Sequence, residues 1–517
     1  MRHRTLLVVT PVLLLALSLR LLIAQALPIE SDEAIGGLMA KHILQGERPV
    51  FYYGQAYMGT LGSYLMALAF ALAGISTLTF RLVPIGLSLI FCGLTYALAR
   101  RIYGPATGSL AALYVGLCPL FLTIWSVKGR VGYVETLVFG DLLPLLLLDI
   151  AYDGRRETWR LAVFGLVAGL AFWTNQLILP YVLVVVALLA THLRSSRLRV
   201  GALGLAGFAF GSLPLWVANA SSGFATLREL AADNAGGASG LAMLPRHLAE
   251  LGLTAFPVLL GWAQPISDVR LFAAQRSGNA VFFAAGALMA GLLVGLAVWH
   301  TVEIVQHGWR CLLTERDVPL LALFFLVPFL FVLSKAAPLH FGEPRYLLPL
   351  YSTVPLFAAF LHRLGKRSHL AFALVLVATV GINLWSNLAF DARLSVPVVG
   401  GQRLPTSNRE LISFLLARQD TRIYADYWIA YSVAFESGER IVAGVLGDDL
   451  RRGFNRYIPY AHQVDTSPSP AYVFAAGSPQ DLAFGGKLVA GGISYQRSLV
   501  GGYAVYDAID PPQRVLE

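Results

Sequence analysis

Residues 27–34 read LPIESDEA. A nearly uninterrupted apolar run, Leu6 to Leu27, ends there, and two carboxylates, Asp32 and Glu33, follow almost at once. A hydrocarbon core of about 30 Å needs about 20 apolar residues, so the run is a membrane span. Arg2 and Arg4 precede it as they would a secretory leader, but no small-residue cleavage site follows and further apolar runs do. The acidic pair therefore stands where the chain first leaves the bilayer.

The rest of the chain agrees. Its 517 residues are 56% hydrophobic and 13% charged, with mean hydropathy +0.65; a soluble domain carries about 25% charged residues. Eleven windows read as spans: 6–27, 81–99, 106–125, 134–151, 159–174, 177–193, 200–217, 280–300, 318–334, 347–362 and 369–388. The fifth and sixth run together through WTNQ (173–176) and also read as one broken pair.

Alternate loops carry Arg2/Arg4, Arg100/Arg101, Arg155/Arg156, Arg194/Arg197/Arg199, Arg310/Arg316 and Arg363/Lys366/Arg367. This is the positive-inside pattern, with a cytoplasmic N-terminus. Most of the net charge of +9 is thus topological, and no nucleic-acid partner is called for. Cys92, Cys118 and Cys311 lie in or beside apolar segments, which argues against a disulfide framework or a cysteine metal site. Residues 60–74 (TLGSYLMALAFALAG) would spoil the alternation if they spanned, and read as a helix at the outer interface.

The outer face then collects a first loop (28–80), the stretch near 126–133, a long loop (218–279), the stretch 335–346 and the tail. RELISFLLAR (409–418) reads as a helix; TRIYADY (421–427), RIVAGV (440–445) and AYVFAAG (471–477) read as strands. The expected fold is a polytopic α-helical membrane protein of about eleven transmembrane helices over residues 1–389, with interfacial helices in the first external loop. A small extracytoplasmic α/β domain over 390–517 completes it.

Ser31 is placed to cap a helix, AIGGLMAKHIL, whose apolar face would lie on the outer membrane surface. The bland role of Asp32 and Glu33 is to complement that helix dipole. Other outer segments argue for more. FYYGQAYMGT (51–60) offers Tyr53, Gln55 and Tyr57 for a sugar or head group; its plain alternative is an interfacial aromatic belt. WSVKGRVGYVET (125–136) puts Lys128, Arg130 and Glu135 outside, and PLHFGEPRYLLPLY (338–351) puts His340, Glu343, Arg345 and Tyr346 there. Topology requires none of these charges, and interfacial ionisable groups are functional candidates. Their shared chemistry would be glycosyl transfer from a lipid phosphate. Cations would neutralise the departing phosphate, and a carboxylate would deprotonate the attacking hydroxyl.

The acidic pair after the first span, the Tyr/Gly-rich segment, and RLVP (81–84) leading to ARRIYG (99–104) together resemble the membrane-embedded C-type glycosyltransferases. KGRVGYVET and EPRYLLPLY are similar to motifs of the bacterial family 39-like group, related to protein O-mannosyltransferases and the lipid A aminoarabinose transferase. The resemblance covers roughly 5–390. It implies a polyprenyl-phosphate-linked sugar donor, an inverting displacement, Asp32 as base with Glu33 assisting, and phosphate binding at Arg345 and Tyr346. Lys128 and Arg130 would help at the phosphate, and Glu135 stands near the family's second acid, though offset. It also implies a bacterial inner membrane, with the site on the extracytoplasmic face and membrane lipid as a partner; the acceptor stays open. Some relatives hold a divalent metal. Here His42 and His340 lack ligand spacing, so no essential metal is expected, although a divalent ion stays open. The competing readings are a lipid-linked glycan flippase, a non-catalytic envelope assembly protein, and an oligosaccharyltransferase.

Overall fold

The computed structural model describes residues 2–155, 157–192, 197–234, 243–263, 295, 302, 305, 306, 315–335 and 337–511. The chain opens with α1 (Arg2–Ala26), α2 (Ser31–Leu44), α3 (Leu61–Ala73), α4 (Thr77–Tyr103), α5 (Pro105–Gly116), α6 (Leu120–Trp125), α7 (Tyr133–Leu147), α8 (Thr158–Thr174) and α9 (Leu179–His192). Among the described residues, four helices are long and apolar enough to cross a membrane: those starting at Val9, Thr77, Arg345 and His369. A fifth arises if Gly201–Gly211 and Leu213–Ser221, bent by 62°, count as one span. The other expected spans within the described residues are shorter or interrupted helices, so length and apolarity alone do not reach eleven. The expected span 280–300 and the glycine-rich stretch 234–240 lie largely outside the described residues.

The interruptions have physical causes. The window 106–125 breaks at Leu117–Cys118–Pro119 into α5 and α6. Carbonyls freed inside a membrane body must find donors, each unsatisfied one costing several kcal/mol. Arg20 supplies two, to Gly116 O (3.0 Å) and Val115 O (3.1 Å). Asn383 and Asn387, on the helix His369–Leu388, take Leu117 O (2.7 Å) and Cys118 O (2.8 Å). In WTNQ, α8 stops at Thr174 and Asn175 is extended, its side chain accepting from Leu177 N (2.9 Å). Two separate helices result. Asp141, inside α7, accepts from Thr95 of α4 at 2.6 Å, which ties two spans together.

α2 differs from expectation. It does not lie on the membrane surface, because eleven of its fourteen residues are buried. Its N-cap is Glu30 rather than Ser31, whose hydroxyl donates to Tyr427 O (2.6 Å) in the tail. Two glycines explain the burial. A Cβ on Gly36 would stand 2.7 Å from Gly129 O, and one on Gly37 would stand 2.6 Å from the Phe435 ring. α2 is therefore clamped between the 126–132 segment and the tail.

The tail is an α/β domain, as its pattern indicates. Besides a hairpin of β1 (Val398–Val399) and β2 (Gln402–Arg403), it has β3 (Arg422–Asp426), β4 (Val442–Leu446), β5 (Ala471–Ala475), β6 (Ser494–Val500) and β7 (Tyr503–Asp510). These five form one sheet in the order β4-β3-β5-β7-β6, parallel from β4 to β5 and antiparallel beyond. The helix Tyr427–Glu436 leaves β3 directly and packs on α2, so the sheet's apolar core and that of α2 are continuous.

Candidate active site

Four chain segments bring ionisable groups together. The α2 entry supplies Glu30 and Asp32, and the loop before α7 supplies Lys128 and Arg130. Residues 340–346 supply His340, Glu343 and Arg345, and the tail supplies Tyr427 and Arg456. Glu30 pairs with Arg130 Nε and with Lys128 Nζ (3.2 Å). Burial pushes its carboxyl up, but the two cations overcome this and hold it at about 2. Glu343 Oε1 lies 3.6 Å from Lys128 and 3.9 Å from Arg130. Asp32 Oδ1 accepts from the Tyr427 hydroxyl (2.6 Å), while Oδ2 stands 3.7 Å from Arg130 Nη2. The backbone carbonyl of Asp32 accepts from the Tyr52 hydroxyl (2.6 Å).

Arg345 closes the far side. Its guanidinium stands 5.3 Å from the Tyr346 ring centre and 3.5 Å from His340 Nε2. Burial, then Arg345, pushes His340 down to about 4, so it is neutral at ordinary pH. The Tyr133 phenol lies within electrostatic reach of Arg345, Arg130 and Asp32, which links the two halves of the site. Arg130 also lies over the Trp125 ring, 5.0 Å from its centre. Four cations (Lys128, Arg130, Arg345, Arg456) thus surround three carboxylates (Glu30, Asp32, Glu343), leaving one positive charge in excess. Two buried guanidinium nitrogens, Arg130 Nη1 and Arg345 Nε, have no hydrogen-bond partner among the described residues. Buried donors of this kind are costly and call for an acceptor.

Of the residues expected in the site, Asp32, Lys128, Arg130, His340, Glu343, Arg345 and Tyr346 do come together. Glu33 does not face the cluster. It is fully buried and accepts twice from Arg81, both at 2.7 Å, and once from Gly129 N (3.0 Å). Arg81 in turn donates to Ala24, Leu27 and Pro28 carbonyls, sealing the end of α1. Glu135 accepts from Gly132 N (3.0 Å) and caps α7. Tyr53 turns away to Glu47 (2.5 Å) and His42 (2.9 Å), and its neighbour Tyr52 reaches Asp32 instead. Gln55 donates to Tyr57 (3.0 Å), and between them Ala56 N donates to Glu229 (2.7 Å). Sequence reading missed Glu30, Tyr52 and Arg456. Glu30 stood inside the opening motif, while Arg456 carried no signal. Tyr427, in the tail, is a further member of the site, its hydroxyl donating to Asp32.

An apolar cavity of about 140 Å³ lies among the helices, walled by Leu113 and Tyr114 of α5, Leu350, Tyr351 and Phe357, and Val380. Leu350 and Tyr351 belong to the 3-10 helix Arg345–Thr353, the element that begins at Arg345. No group of three or more metal-ligating side chains occurs among the described residues. His42 is spent on Tyr53 and on Glu439 of the tail (2.8 Å).

The fold is the architecture of the membrane-embedded C-type glycosyltransferases. The sequence profile of the dolichyl-phosphate-mannose-protein mannosyltransferase family matches residues 59–216. Among solved structures, ArnT from Cupriavidus metallidurans, bound to undecaprenyl phosphate, is similar with TM-score 0.60 at 13% identity, over 96% of this chain and 97% of that one. The oligosaccharyltransferase AglB from Archaeoglobus fulgidus, in complex with an inhibitory peptide and a dolichol-phosphate, is similar with TM-score 0.51 at 14% identity, over 99% and 75% of the two chains. No curated protein sequence matches. The resemblance read from the short motifs therefore holds: the chain is a multi-pass membrane protein with an ArnT-like fold, and its residues 59–216 match the protein mannosyltransferase model.

Proposed function

We propose that this protein transfers a sugar from a polyprenyl-phosphate donor to an acceptor hydroxyl at the extracytoplasmic face of a bacterial inner membrane. The carrying observation is the pair of buried guanidinium nitrogens without a hydrogen-bond partner among the described residues, Arg130 Nη1 and Arg345 Nε, on cations gathered with Asp32. A lipid phosphodiester carries one negative charge and matches the single excess positive charge of the cluster. The apolar cavity suits part of the prenyl chain. ArnT bound to undecaprenyl phosphate and AglB in complex with a dolichol-phosphate support the same donor class.

Asp32 Oδ2 takes the proton of the acceptor hydroxyl as its oxygen bonds to the anomeric carbon. The bond from that carbon to the phosphate oxygen breaks, and configuration inverts. The departing phosphate gains charge, and Arg345, Arg130 and Lys128 stabilise it more than they did the diester. A flippase would need polar groups along a continuous path. Apart from Arg20 and Asp141, which are spent on carbonyls of the α5–α6 break and on Thr95, the ionisable groups of the outer segments gather around Asp32, which favours chemistry over transport.

The test uses protein in liposomes with labelled undecaprenyl-phosphate sugars and a cell-envelope extract, comparing wild type with Asp32→Asn. Transfer that disappears in the variant while undecaprenyl phosphate still binds supports the reading. Equal transfer by both proteins removes Asp32 as the base.

A further inference from the structure

Two side chains of the tail reach the site without a part in this chemistry. Tyr427 opens the helix after β3, and Arg456 lies in the loop before the helix Ile458–Asp465. The Tyr427 hydroxyl donates to Asp32 Oδ1 (2.6 Å) and accepts from Arg456 Nε (3.1 Å). Arg456 is itself held. Its guanidinium lies 5.6 Å from the Tyr52 ring centre, 5.7 Å from that of Tyr427 and 4.9 Å from that of Phe454. Its backbone N–H donates to the Tyr431 hydroxyl (2.5 Å). The first loop makes room for it at Gly54, φ +69°, where a Cβ would stand 3.0 Å from Arg456 Cδ. Burial, then the charge of Asp32, pushes the Tyr427 phenol well up, so it stays a donor.

We propose that the external α/β domain completes the catalytic centre: Tyr427 and Arg456 are positioning residues that hold Asp32 Oδ1 and leave Oδ2 to take the acceptor's proton. This rests on the reading of Asp32 as the base. The need for such a device is visible in the distances. Arg130 Nη2 is 3.7 Å from Oδ2, close enough to attract it and too far to hold it. With Oδ1 anchored from the tail side, the carboxylate does not turn to close a two-oxygen pair with Arg130. Oδ2 remains open to a hydroxyl. Both domains must be docked for this to work, and the docking is built in. α2 carries Asp32 at its first turn and is gripped by the helix Tyr427–Glu436 through Gly37, while Lys41 and His42 pair with Glu439.

The groups facing Asp32 are Glu30 on its own segment, Arg130 and Tyr133 beside α7, Tyr52 from the first loop, Tyr427 and Arg456 from the tail, with Glu343 and Arg345 behind Arg130. Removing the Tyr427 hydroxyl takes away the hydrogen bond on Oδ1, and removing the Arg456 guanidinium loosens the phenol that makes it.

The experiment is an infrared difference spectrum, against Asp32→Asn, of ¹³C-aspartate-labelled full-length protein in lipid nanodiscs at neutral pH. The expected result is a shifted antisymmetric carboxylate stretch of Asp32 in Tyr427→Phe and in Arg456→Gln, restored toward wild type in Arg456→Lys, because the hydrogen bond that holds Oδ1 is lost or loosened. A carboxylate band unchanged in both variants overturns the proposal. In liposomes with the undecaprenyl-phosphate sugar panel, the same two variants should lose about tenfold or more in kcat with donor KM unchanged. A change confined to KM overturns it as well. If Asp32→Asn transfers as wild type does, the base reading fails, and the carboxylate band still decides whether the tail holds Asp32. Should Tyr427→Phe not fold, the Arg456 pair carries the test.

Discussion

Changing Glu33 to Gln separates a structural acid from a catalytic one. Sequence alone pairs Glu33 with Asp32 in the chemistry. In the structure Glu33 accepts three N–H groups, two from Arg81 and one from Gly129, at zero exposure. A glutamine has one acceptor oxygen, and its NH₂ would meet the guanidinium donor to donor. Arg81 would stay buried and charged with only the α1 carbonyls for company. Breaking a buried pair from one side costs about 3–5 kcal/mol. The melting midpoint in nanodiscs should therefore fall by roughly 5 °C or more. Arg81→Met should cost at least as much, because it also frees the three carbonyls. The double variant should cost less than the sum by about 1–3 kcal/mol, since the pair shares one interaction. Transfer per folded molecule should stay within a few-fold of wild type. The reasoning is refuted if Glu33→Gln melts like wild type yet loses transfer, for then Glu33 acts in the reaction.

Other outcomes follow from the same geometry. Asp32→Asn should reduce transfer about 10²–10⁴-fold with donor binding nearly intact, measured in liposomes. Replacing Arg345 by Lys keeps the charge but removes the fork and its orphaned Nε; donor KM should rise and kcat should fall together, as read from initial rates. Phe357→Trp narrows the apolar cavity and should weaken a long-chain undecaprenyl donor more than a short-prenyl analogue, compared by competition. Stability should also depend on pH. Burial pushes the Glu439 carboxyl up, but hydrogen bonds from His42, Lys41 and Tyr460 bring it down from 4.5 to about 2. Its folded value is thus depressed, so its contribution is present above pH 4.5 and lost as pH falls toward 2. Glu439→Gln should flatten the melting-midpoint profile across that window.

Sequence reading succeeds where a residue violates a simple expectation. Lys128, Arg130 and Arg345 were visible because outer loops did not need their charge, and Asp32 because it followed the first span. The tail's sheet was visible through short β-branched runs between turns. What stayed hidden depends on partners far away along the chain. Arg20 sits inside a run that reads as uniformly apolar, and its use is set by carbonyls 95 and 96 residues distant. Arg81 opens a span and reads as a boundary charge until Glu33 is seen against it. Tyr52 and Tyr53 are indistinguishable by type, and only the turn of the loop decides which one meets Asp32. Arg456 lies in a loop whose approach to α2 exists only after the tail docks. The α2 helix itself misleads, since its apolar face fits a membrane surface as well as the underside of a domain.

The break between α5 and α6 also constrains how the molecule can be assembled. Its carbonyls are served by Arg20 from the first helix and by Asn383 and Asn387 from the helix His369–Leu388, the latter separated from their acceptors by 266 and 269 residues. While a ribosome is still making the intervening chain, only the first of these donors has been synthesised. Until residue 388 has entered the bilayer, two peptide carbonyls at the break must be hydrated, or held by an insertion factor, or left facing lipid at high cost. The membrane body therefore closes late, from its two ends, and nascent chains halted before the asparagines should be preferred substrates for membrane quality-control proteases.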